Sequence, residues 1–536
     1  MESEKTTQSK KFLKVSSIAV IALLLLAGST FGILWVHAAS STPTLQYGPT
    51  ILSGSATDAK EPAVSTSANG QYVYVAWTEG SGGIYSTVSS NGGSTWSTPL
   101  KISNKGGTTQ FPVMDTGDGY ESSNSGDVYV AWAQTVSSEL QIFVASSTNN
   151  GASFTTNQVS SGGGITPALA TSGNDVYVTW YQTNPCPVTA LNPLNSTTGT
   201  GENGCIYVDS SVSNGGAWST PVQLNPSHKG EAQIVAEGSY AYVAADGVYF
   251  SSYGIPGAPN NWDGSGSTPT GWTEPIQVYE FYSYDPTSPS TSCSVVPPAT
   301  PPTGCLTSFG REPWVAASGL DVYLTWEAVN LSSSTALYSD YGITSTDGGL
   351  TWYPGTCNAV TCPGSQLTSL PPTITTAAQQ APFLMTGGAK DIWEPENAGL
   401  GSNAFLTFHS LSGSAAIYVT STTDNGSSWS APQQVNTGLT GTSAYAHIFT
   451  SDGTNVWVLW GQLTSGSTWN AYLSYSGNSG TSWSSPLDIS NNAAGVAAGN
   501  QDVTLFWVTS IGTTCFAVYT YTSGSTSQVW FSSATA

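Results

Sequence analysis

The sequence predicts an all-β protein, a single β-propeller of four-stranded antiparallel blades that follows an N-terminal hydrophobic segment. Three repeated features support this prediction: an eight-residue turn phrase, a strand phrase that ends in an aromatic residue, and a proline-led strand about 10 to 15 residues before most strand phrases. A single sheet of this kind cannot bury both of its faces, whereas sheets packed radially bury both and leave only short edges. The repeats therefore predict a closed ring.

The turn phrase has the pattern Ser-x-Asp/Asn-x-Gly-x-Ser/Thr-Trp. Its Asp or Asn can accept backbone N–H groups, its Gly can take a positive φ, and its last aromatic residue can leave the turn to pack, as in a hairpin that joins the third strand of a unit to the fourth. The residues assigned to these turns are Asn91, Trp96, Asn149, Phe154, Asp347, Trp352, Asp424, Trp429, Asn478 and Trp483. A further copy at 211–218 is read with Asn214, one residue nearer to its Trp218.

The strand phrase sets the number of repeats. Eight copies are found, at 72–77, 127–132, 175–180, 240–245, 321–326, 403–408, 455–460 and 502–507. We therefore expect eight blades, with seven as the alternative because two units are degenerate. The segment 47–53 is predicted to complete the last sheet, around 506–521, and 529–531 is read as an extra strand of that sheet.

The turn phrase resembles the Asp-box, or BNR repeat, of sialidases and related β-propellers, and its copies span residues 89–483. The resemblance implies a sialidase-like propeller in which the boxes are structural turns at the outer rim of each blade, away from the functional face. It also implies an enzyme that holds a substrate carboxylate with three arginines, because a guanidinium group pairs bidentately with a carboxylate. The chain has one arginine, Arg311, in an Arg-x-Pro spacing that resembles a sialidase inner-strand motif. Sialic-acid hydrolysis by the family mechanism is therefore not expected.

Charged pairs at the starts of the predicted inner strands are the candidate functional residues. Lys60 and Glu61 precede a proline in one unit, Arg311 and Glu312 precede a proline in another, and Glu231 lies close to the same position in a third. Inner strands begin at the mouth of a propeller channel. Glu61 and Glu312 would serve there as the acid and base of a glycosidase with Arg311 beside them, or the pairs would form salt bridges that close the channel. Lys60 and Glu231 are further binding candidates.

The N-terminus predicts a membrane segment. Four lysines within residues 1–14 precede an uncharged run from 15 to 36, which is long enough to span a bilayer with its positive flank in the cytoplasm. The run is either an uncleaved anchor or a signal sequence, with a linker at 37–46 and the propeller at 47–536. We therefore expect an extracellular protein that is anchored to the cell membrane, or secreted if the run is cleaved.

Composition narrows the possible partners. Only 8% of the residues are charged, and after residue 14 the chain holds six basic and 30 acidic residues, a net charge of −24. Such a surface repels nucleic acid and anionic lipid. A surface with few charges and an excess of carboxylates also suits a protein that works in an acidic medium. A cover of attached glycans is an equally open explanation of this composition.

Cysteine spacing predicts disulfide bonds in the insertions of an extracellular protein. Three local couples are expected to pair: Cys186 with Cys205, Cys293 with Cys305, and Cys357 with Cys362. Cys515 is expected to be a buried free thiol. Glycosylation sequons begin at Asn195, Asn330 and Asn425, on predicted loops. The histidines and cysteines lack the spacing of a metal site, so no metal and no cofactor is expected.

Two functions remain open. The preferred interpretation is a cell-surface module that binds a glycan or an envelope protein through one face of the propeller and its long loops. The alternative is a glycoside hydrolase with a carboxylate site at the channel mouth.

Overall fold

The computed structural model describes part of the chain. The described residues are 41–54, 58–80, 82–117, 126–182, 205–226, 232–245, 249–258, 271–273, 275–277, 281–284, 305–308, 310–330, 337–352, 396–410, 416–426, 429–439, 443–465, 468–490, 502–523 and 525–536. Among them every regular element is a β-strand, and no helix is long and apolar enough to cross a membrane. The predicted membrane segment lies outside the described residues and stays a prediction.

The strands, numbered in chain order, form eight antiparallel blades. Blade 1 holds β2 (Ala59–Thr66), β3 (Val73–Glu79), β4 (Ile84–Ser89) and β5 (Leu100–Lys101); blade 2 holds β6 (Thr109–Thr116), β7 (Val128–Val136), β8 (Glu139–Ser147) and β9 (Thr155–Gln158). Blade 3 holds β10 (Ile165–Ser172), β11 (Asp175–Gln182), β12 (Cys205–Ser211) and β13 (Val222–Pro226); blade 4 holds β14 (Ala232–Glu237), β15 (Tyr240–Ala245), β16 (Tyr249–Tyr253) and β17 (Ile276–Gln277).

Blade 5 shows three strands among the described residues, β20 (Gly310–Ser318), β21 (Asp321–Asn330) and β22 (Leu337–Ser345), and a separate hairpin, β18 (Phe281–Tyr284) with β19 (Cys305–Ser308), precedes it. Blade 6 holds β23 (Glu396–Leu400), β24 (Asn403–Ser410), β25 (Ala416–Thr422) and β26 (Gln433–Gln434); blade 7 holds β27 (Ser443–Ser451), β28 (Val456–Ser465), β29 (Thr468–Ser476) and β30 (Leu487–Asp488). Blade 8 holds β31 (Asp502–Ile511), β32 (Thr514–Ser523), β33 (Thr526–Thr535) and β1 (Thr44–Ile51).

The blades close into a ring through their first strands. Each first strand contacts the first strand of the next blade in the order β2, β6, β10, β14, β20, β23, β27 and β31, and β31 contacts β2. Eight blades are thus confirmed over seven. We call the end of the ring at which the first strands begin the upper face, and the end at which they finish the lower face. Because neighbouring strands are antiparallel, the turn phrases lie at the lower face, opposite the starts of the first strands.

The N-terminal strand completes the last blade, as the sequence predicts. β1 pairs with β33 from Thr44 opposite Thr535 to Ile51 opposite Trp530. Two details of the prediction were wrong. The segment 529–531 is part of β33, the third strand of blade 8 and not an extra one, and 502–507 lies in the first strand β31. The reason is that the fourth strand comes from the other end of the chain, so no turn phrase follows β33 to mark the strand order.

The second strands supply the aromatic core between blades. In four of them the buried indole N–H of the tryptophan donates to a Glu or Gln side chain two residues further on, which satisfies a polar group in an apolar environment. The pairs are Trp77 with Glu79, Trp132 with Gln134, Trp180 with Gln182 and Trp460 with Gln462. Each of these indoles also stacks on an aromatic ring of the adjacent third strand. The Glu or Gln two residues further along the same face of the strand thus accepts the hydrogen bond of each indole N–H.

The eight-residue turns have the hydrogen bonds expected of them. In the first, the Ser89 hydroxyl donates to the Asn91 side chain, and Asn91 Oδ1 accepts the backbone N–H of Thr95 at 2.9 Å. Asn149, Asp347 and Asn478 make the equivalent contacts. The last aromatic residue then packs on the preceding blade: the ring centroids of Trp96 and Phe531 lie 4.8 Å apart, as do those of Trp352 and Phe250.

The assignment of Asn214 to its turn was wrong. Ser213 occupies the Asp/Asn position, and its hydroxyl oxygen accepts the backbone N–H of Ala217 at 2.9 Å. Asn214 instead takes a φ of 53° and donates its side-chain amide to Asp127. A serine hydroxyl accepts the same N–H as an amide oxygen does, so the turn at 211–218 has all eight positions of the pattern. The wrong assignment arose because the pattern requires Asp or Asn, and Asn214 is the neighbouring residue of that type.

The cysteine predictions are tested only in part. Cys515 is a buried free thiol in β32, as expected. Cys205 is disulfide-bonded at the start of β12, but Cys186 lies outside the described residues. Cys293, Cys357 and Cys362 also lie outside them, so the three pairings stay predictions. The sequon at Asn330 ends β21, and therefore lies on a strand and not on a loop.

Candidate binding site at the upper face

A β-bulge recurs near the start of four first strands, each time at a residue followed by proline. The register shifts lie between Lys60 and Ala63 in β2, Gln110 and Val113 in β6, Ile165 and Ala168 in β10, and Arg311 and Trp314 in β20. Proline cannot donate a ladder hydrogen bond, and a bulge places it where no such bond is needed. Each of these four first strands thus carries an irregular position at the upper face.

Three of these bulges hold a non-glycine residue in the left-handed region. Glu61 has a φ of 54°, Phe111 of 55° and Thr166 of 46°, although a residue before proline normally takes an extended conformation. Each such conformation costs on the order of 1 to 3 kcal/mol, and strain of this kind clusters at functional sites. These three strained positions lie on blades 1, 2 and 3, which are consecutive in the ring.

The Glu61 carboxylate links blade 1 to blade 2. Its Oε2 accepts the backbone N–H of Phe111 at 2.9 Å and the Thr78 hydroxyl at 3.1 Å. Because the acceptor lies on one blade and the donor on the next, the two bulges are held at a fixed separation. The predicted site residue Glu61 is therefore already engaged in the structure.

Phe111 presents an exposed aromatic ring beside this carboxylate. It is 43% exposed, whereas most large hydrophobic side chains of the described blades are buried. An exposed aromatic ring next to a carboxylate offers an apolar surface together with a hydrogen-bond acceptor. This is the combination that binds a sugar, whose ring has an apolar C–H face and hydroxyl donors.

The remaining predicted site residues lie as follows. Lys60 is the second residue of the same strand and forms an ion pair with Asp58 at 3.8 Å, with both side chains about half exposed. Arg311 and Glu312 occupy the equivalent bulge in β20, but their side chains are not described. Glu231 lies outside the described residues.

The structure places Glu61 and Glu312 on different sides of the ring. They belong to blades 1 and 5, which are four blades apart in either direction around a ring of eight. The equivalence of their positions is as expected, because both precede the proline of a first-strand bulge. Whether the two carboxylates act on one bound sugar stays a prediction.

Two buried carboxylates were missed by the sequence analysis. Asp115 in β6 accepts the backbone N–H of Thr116 at 2.8 Å and both the backbone N–H and the hydroxyl of Thr171 in the next blade. Burial raises the pKa of Asp115 to about 6, and these hydrogen bonds oppose the shift without cancelling it. Burial likewise raises the pKa of Asp209 in β12 to about 6. Both groups therefore titrate near neutral pH.

No group of three or more His, Cys, Asp or Glu side chains among the described residues could hold a metal ion. The upper-face residues described above are suited to binding through hydrogen bonds and stacking. Of these, Phe111 and Thr166 were not among the candidate residues of the sequence. Their shared X-Pro position at the start of a first strand was the signal that could have found them.

Comparison with known proteins gives distant structural similarity only. No family model matches the chain, and no curated protein matches it. A sialidase of Trypanosoma rangeli in complex with 2,3-difluorosialic acid aligns at 9% identity and a TM-score of 0.37 over 91% of this chain. The chain spans 59% of the length of that sialidase. An ulvan lyase bound to -[GlcA(1-4)Rha3S]- aligns at 8% identity and a TM-score of 0.43, over 92% of this chain and 94% of the lyase. The propeller fold itself rests on the strand order and ring closure described above.

Proposed function

We propose that the protein is a cell-surface propeller that binds a glycan at its upper face. The observation that carries the proposal is the exposed ring of Phe111, held in a left-handed bulge by the Glu61 carboxylate of the neighbouring blade. Backbone strain of this kind clusters at functional sites, which supports a role for the exposed ring at this position. A glycan fits because stacking and hydroxyl–carboxylate hydrogen bonds are available at the same point.

The long insertions of the chain support the choice of face. β11 ends at Gln182 and β12 begins at Cys205 at the upper face, so the intervening insertion starts and finishes beside the candidate site. The hairpin β18–β19 encloses a second insertion in the connection from blade 4 to blade 5. Long loops that a rigid scaffold presents at one end commonly carry binding.

The cellular setting belongs to the same proposal. Residues 15–36 would anchor the propeller outside the cell, the six paired cysteines would restrain the insertions as disulfides, and the sequons would carry glycans. The eight-residue turns would be Asp-boxes, with a structural role at the lower face. An envelope protein as partner would use the same upper face.

A second candidate is a glycoside hydrolase. The observation in its favour is that Glu61 and Glu312 occupy the same bulge in blades 1 and 5, with Arg311 next to one of them. The engagement of Glu61 by Phe111 and Thr78 supports binding instead, because both donors hold that carboxylate as a fixed acceptor. In this reading Glu312 would act across the channel from Glu61.

A glycan array probed with the full chain at several pH values tests the proposal, together with an assay for sugar release. We expect binding without release, and the same binding by Glu312→Gln. Release of sugar that Glu312→Gln abolishes would establish the hydrolase instead. Absence of binding to any glycan on the array, by a chain shown to be folded, would contradict both candidates.

A further inference from the structure

The lysines of the propeller lie on one face. Every lysine among the described residues is at the upper face of blade 1 or its junction with blade 2: Lys60 near the start of β2, Lys101 at the end of β5, and Lys105 in the connection from β5 to β6. These three are half of the six basic residues that follow residue 14. The backbone of Arg311 also lies at the upper face, in β20.

The lower face lacks the positive charge found at the upper face. Its described turns carry acidic residues and, within the described ranges, no Lys or Arg. The acidic residues in or next to these turns are Asp127, Asp175, Glu237, Asp321, Asp347, Asp424 and Asp452. Among the described residues, an anionic molecule therefore meets positive charge only at the upper face, where carboxylates such as Asp58, Glu79 and Glu139 lie as well.

The strand register gives the spacing of the lysines. Lys60 pairs with Thr78, the next strand places Ile84 opposite Thr78, and the backbone N–H of Ile102, next to Lys101, donates to Ile84. Lys60 and Lys101 therefore stand at the inner and outer edges of blade 1 at nearly the same height. Four strands about 4.8 Å apart separate them by roughly 15 Å.

The connection that carries Lys105 runs from the outer strand of blade 1 to the first strand of blade 2, where Phe111 lies. Its backbone is fixed, because the carbonyl of Lys105 accepts the Gln134 side chain at 2.6 Å and Thr108 accepts the backbone N–H of Thr135 at 2.9 Å. The lysines thus form a row that leads from the rim to the exposed ring.

The ammonium groups of the row are accessible. Lys101 and Lys105 are exposed, and Lys101 Nζ donates to the Gly82 carbonyl at 3.2 Å, which leaves it two further donors. The Lys60 ion pair with Asp58 is 3.8 Å long between side chains that are 44% and 54% exposed. An exposed pair of this kind is weak and exchanges readily for a ligand anion.

We propose that the row formed by Lys60, Lys101, Lys105 and Phe111, here called the lysine row, binds an acidic polysaccharide. The carboxylate or sulfate groups of the polymer meet the ammonium groups, while one sugar ring stacks on Phe111. This inference rests on the proposed glycan-binding function and specifies the class of glycan. It also places the proposed binding site at the upper ends of blades 1 and 2.

Charge density argues for a polysaccharide over a nucleic acid. Duplex DNA carries a charge about every 1.7 Å, far closer than the lysines of the row. Asp58, Glu61 and Glu79 lie among these lysines and repel a densely charged polymer, as does the net charge of −24. A polymer with one charge per sugar can place its anions at the lysines and keep them away from these carboxylates.

The test measures binding of the full chain to four immobilised polymers: polygalacturonate, dextran sulfate, neutral dextran and single-stranded DNA. We expect salt-sensitive binding to polygalacturonate or dextran sulfate, and whichever binds more tightly identifies carboxylate or sulfate as the recognised group. The double variant Lys101→Gln/Lys105→Gln should weaken that binding about tenfold at low salt and reduce its salt dependence.

The matched control is Ser90→Asp/Ser94→Asp. Its exposed positions lie in the lower-face turn of the same blade, and it changes the net charge by the same amount as the double lysine variant. We expect its affinity for the acidic polymer to stay within about twofold of that of the unmodified chain. An equal loss in both variants would show that net charge alone controls binding, and would overturn the lysine row.

Two other results would overturn the lysine row in different ways. Equal binding to neutral dextran and to both acidic polymers, unaffected by the lysine changes but weakened by Phe111→Ala, would leave the proposed glycan-binding function intact and remove this inference. Preferential binding to single-stranded DNA would replace the polysaccharide with a nucleic acid. Failure of the proposed function itself would instead appear as no binding to any of the three glycan polymers.

Discussion

The Glu61 carboxylate accepts the backbone N–H of Phe111 at 2.9 Å across the boundary between blades 1 and 2. Both residues precede a proline, and both have a φ near 55°. The contact therefore joins two equivalent strained positions, so that each blade stabilises the irregular conformation of its neighbour. It also fixes the position of the exposed Phe111 ring.

Removal of this carboxylate should destabilise the start of β6, the first strand of blade 2. We expect Glu61→Ala to lower the free energy of unfolding by about 1 to 2 kcal/mol, because Phe111 and Thr78 both lose a charged acceptor. Denaturant unfolding measures the change. Glu139→Ala, an exposed carboxylate in the upper-face turn between β7 and β8, is the control and should have almost no effect. Equal effects of the two variants would contradict the role given to Glu61.

Ring closure by β1 should be sensitive to a single methyl group. A Cβ at Gly48, where φ is 95°, would lie 2.4 Å from the carbonyl oxygen of Phe531 in β33, and backbone cannot easily move away. We expect Gly48→Ala to lower the free energy of unfolding by at least about 2 kcal/mol. Gly54→Ala is the matched control, because its φ is 61° and no atom lies within 4 Å of the added Cβ. Thermal unfolding that ranks the two in the reverse order would show that β1 does not close the ring as described.

Each eight-residue turn should contribute to the stability of the fold mainly through the side chain at its Asp/Asn position. Asn91→Ala removes the acceptor of the Thr95 N–H and of the Ser89 hydroxyl, and we expect a loss of about 1 to 2 kcal/mol in the free energy of unfolding. Ser90→Ala, an exposed position of the same turn, should change it by less than about 0.5 kcal/mol. Chemical denaturation of the two variants side by side makes the comparison. If Asn91→Ala were as neutral as Ser90→Ala, the turn would not depend on its amide.

Stability should increase as the medium becomes acidic. Asp115 and Asp209 have a folded pKa of about 6, above the ordinary aspartate value of 3.8, so the folded state binds their protons more tightly than the unfolded state does. Their contribution is fully present below about pH 4 and is lost as the pH rises through 6. We therefore expect the free energy of unfolding to rise by on the order of 1 to 2 kcal/mol between pH 7 and pH 4.5.

The variant Asp209→Asn tests the origin of this pH dependence. It removes one titrating group and should flatten the rise relative to that of the unmodified chain. Denaturant unfolding across the pH range gives the profile. A free energy of unfolding that fell steadily from pH 7 to pH 4.5 would contradict the assignment of protonated, buried aspartates.

The sequence predicted the fold well where the local pattern repeats. Turn phrases and strand phrases identify eight blades because each needs specific residue types at a fixed spacing, such as the hydroxyl and amide of Ser89 and Asn91. The prediction failed where another group could serve equally, as when Ser213 replaced an Asn. It also failed in the strand order of blade 8, where β1 was correctly expected to complete the sheet but 529–531 was read as an extra strand.

The candidate site was only partly predictable. Glu61 and Lys60 were found because they are charges in a chain with few charges, but Phe111, Lys101 and Lys105 were not. Their significance depends on exposure and on the strand register, since Lys60 and Lys101 come to the same end of one blade only when the sheet has formed. A proline near the start of four first strands marked the bulges, but not which of them exposes an aromatic ring.

The central claim is that Phe111 forms part of a glycan-binding surface, and the most direct measurement compares glycan binding by Phe111→Ala and Val212→Ala in the full chain. Val212 is 71% exposed in a lower-face turn, so its loss removes a similar exposed hydrophobic side chain away from the site. We expect Phe111→Ala to weaken binding at least about tenfold and Val212→Ala to leave it unchanged. Unchanged binding in Phe111→Ala, or an equal loss in both variants, would contradict the account.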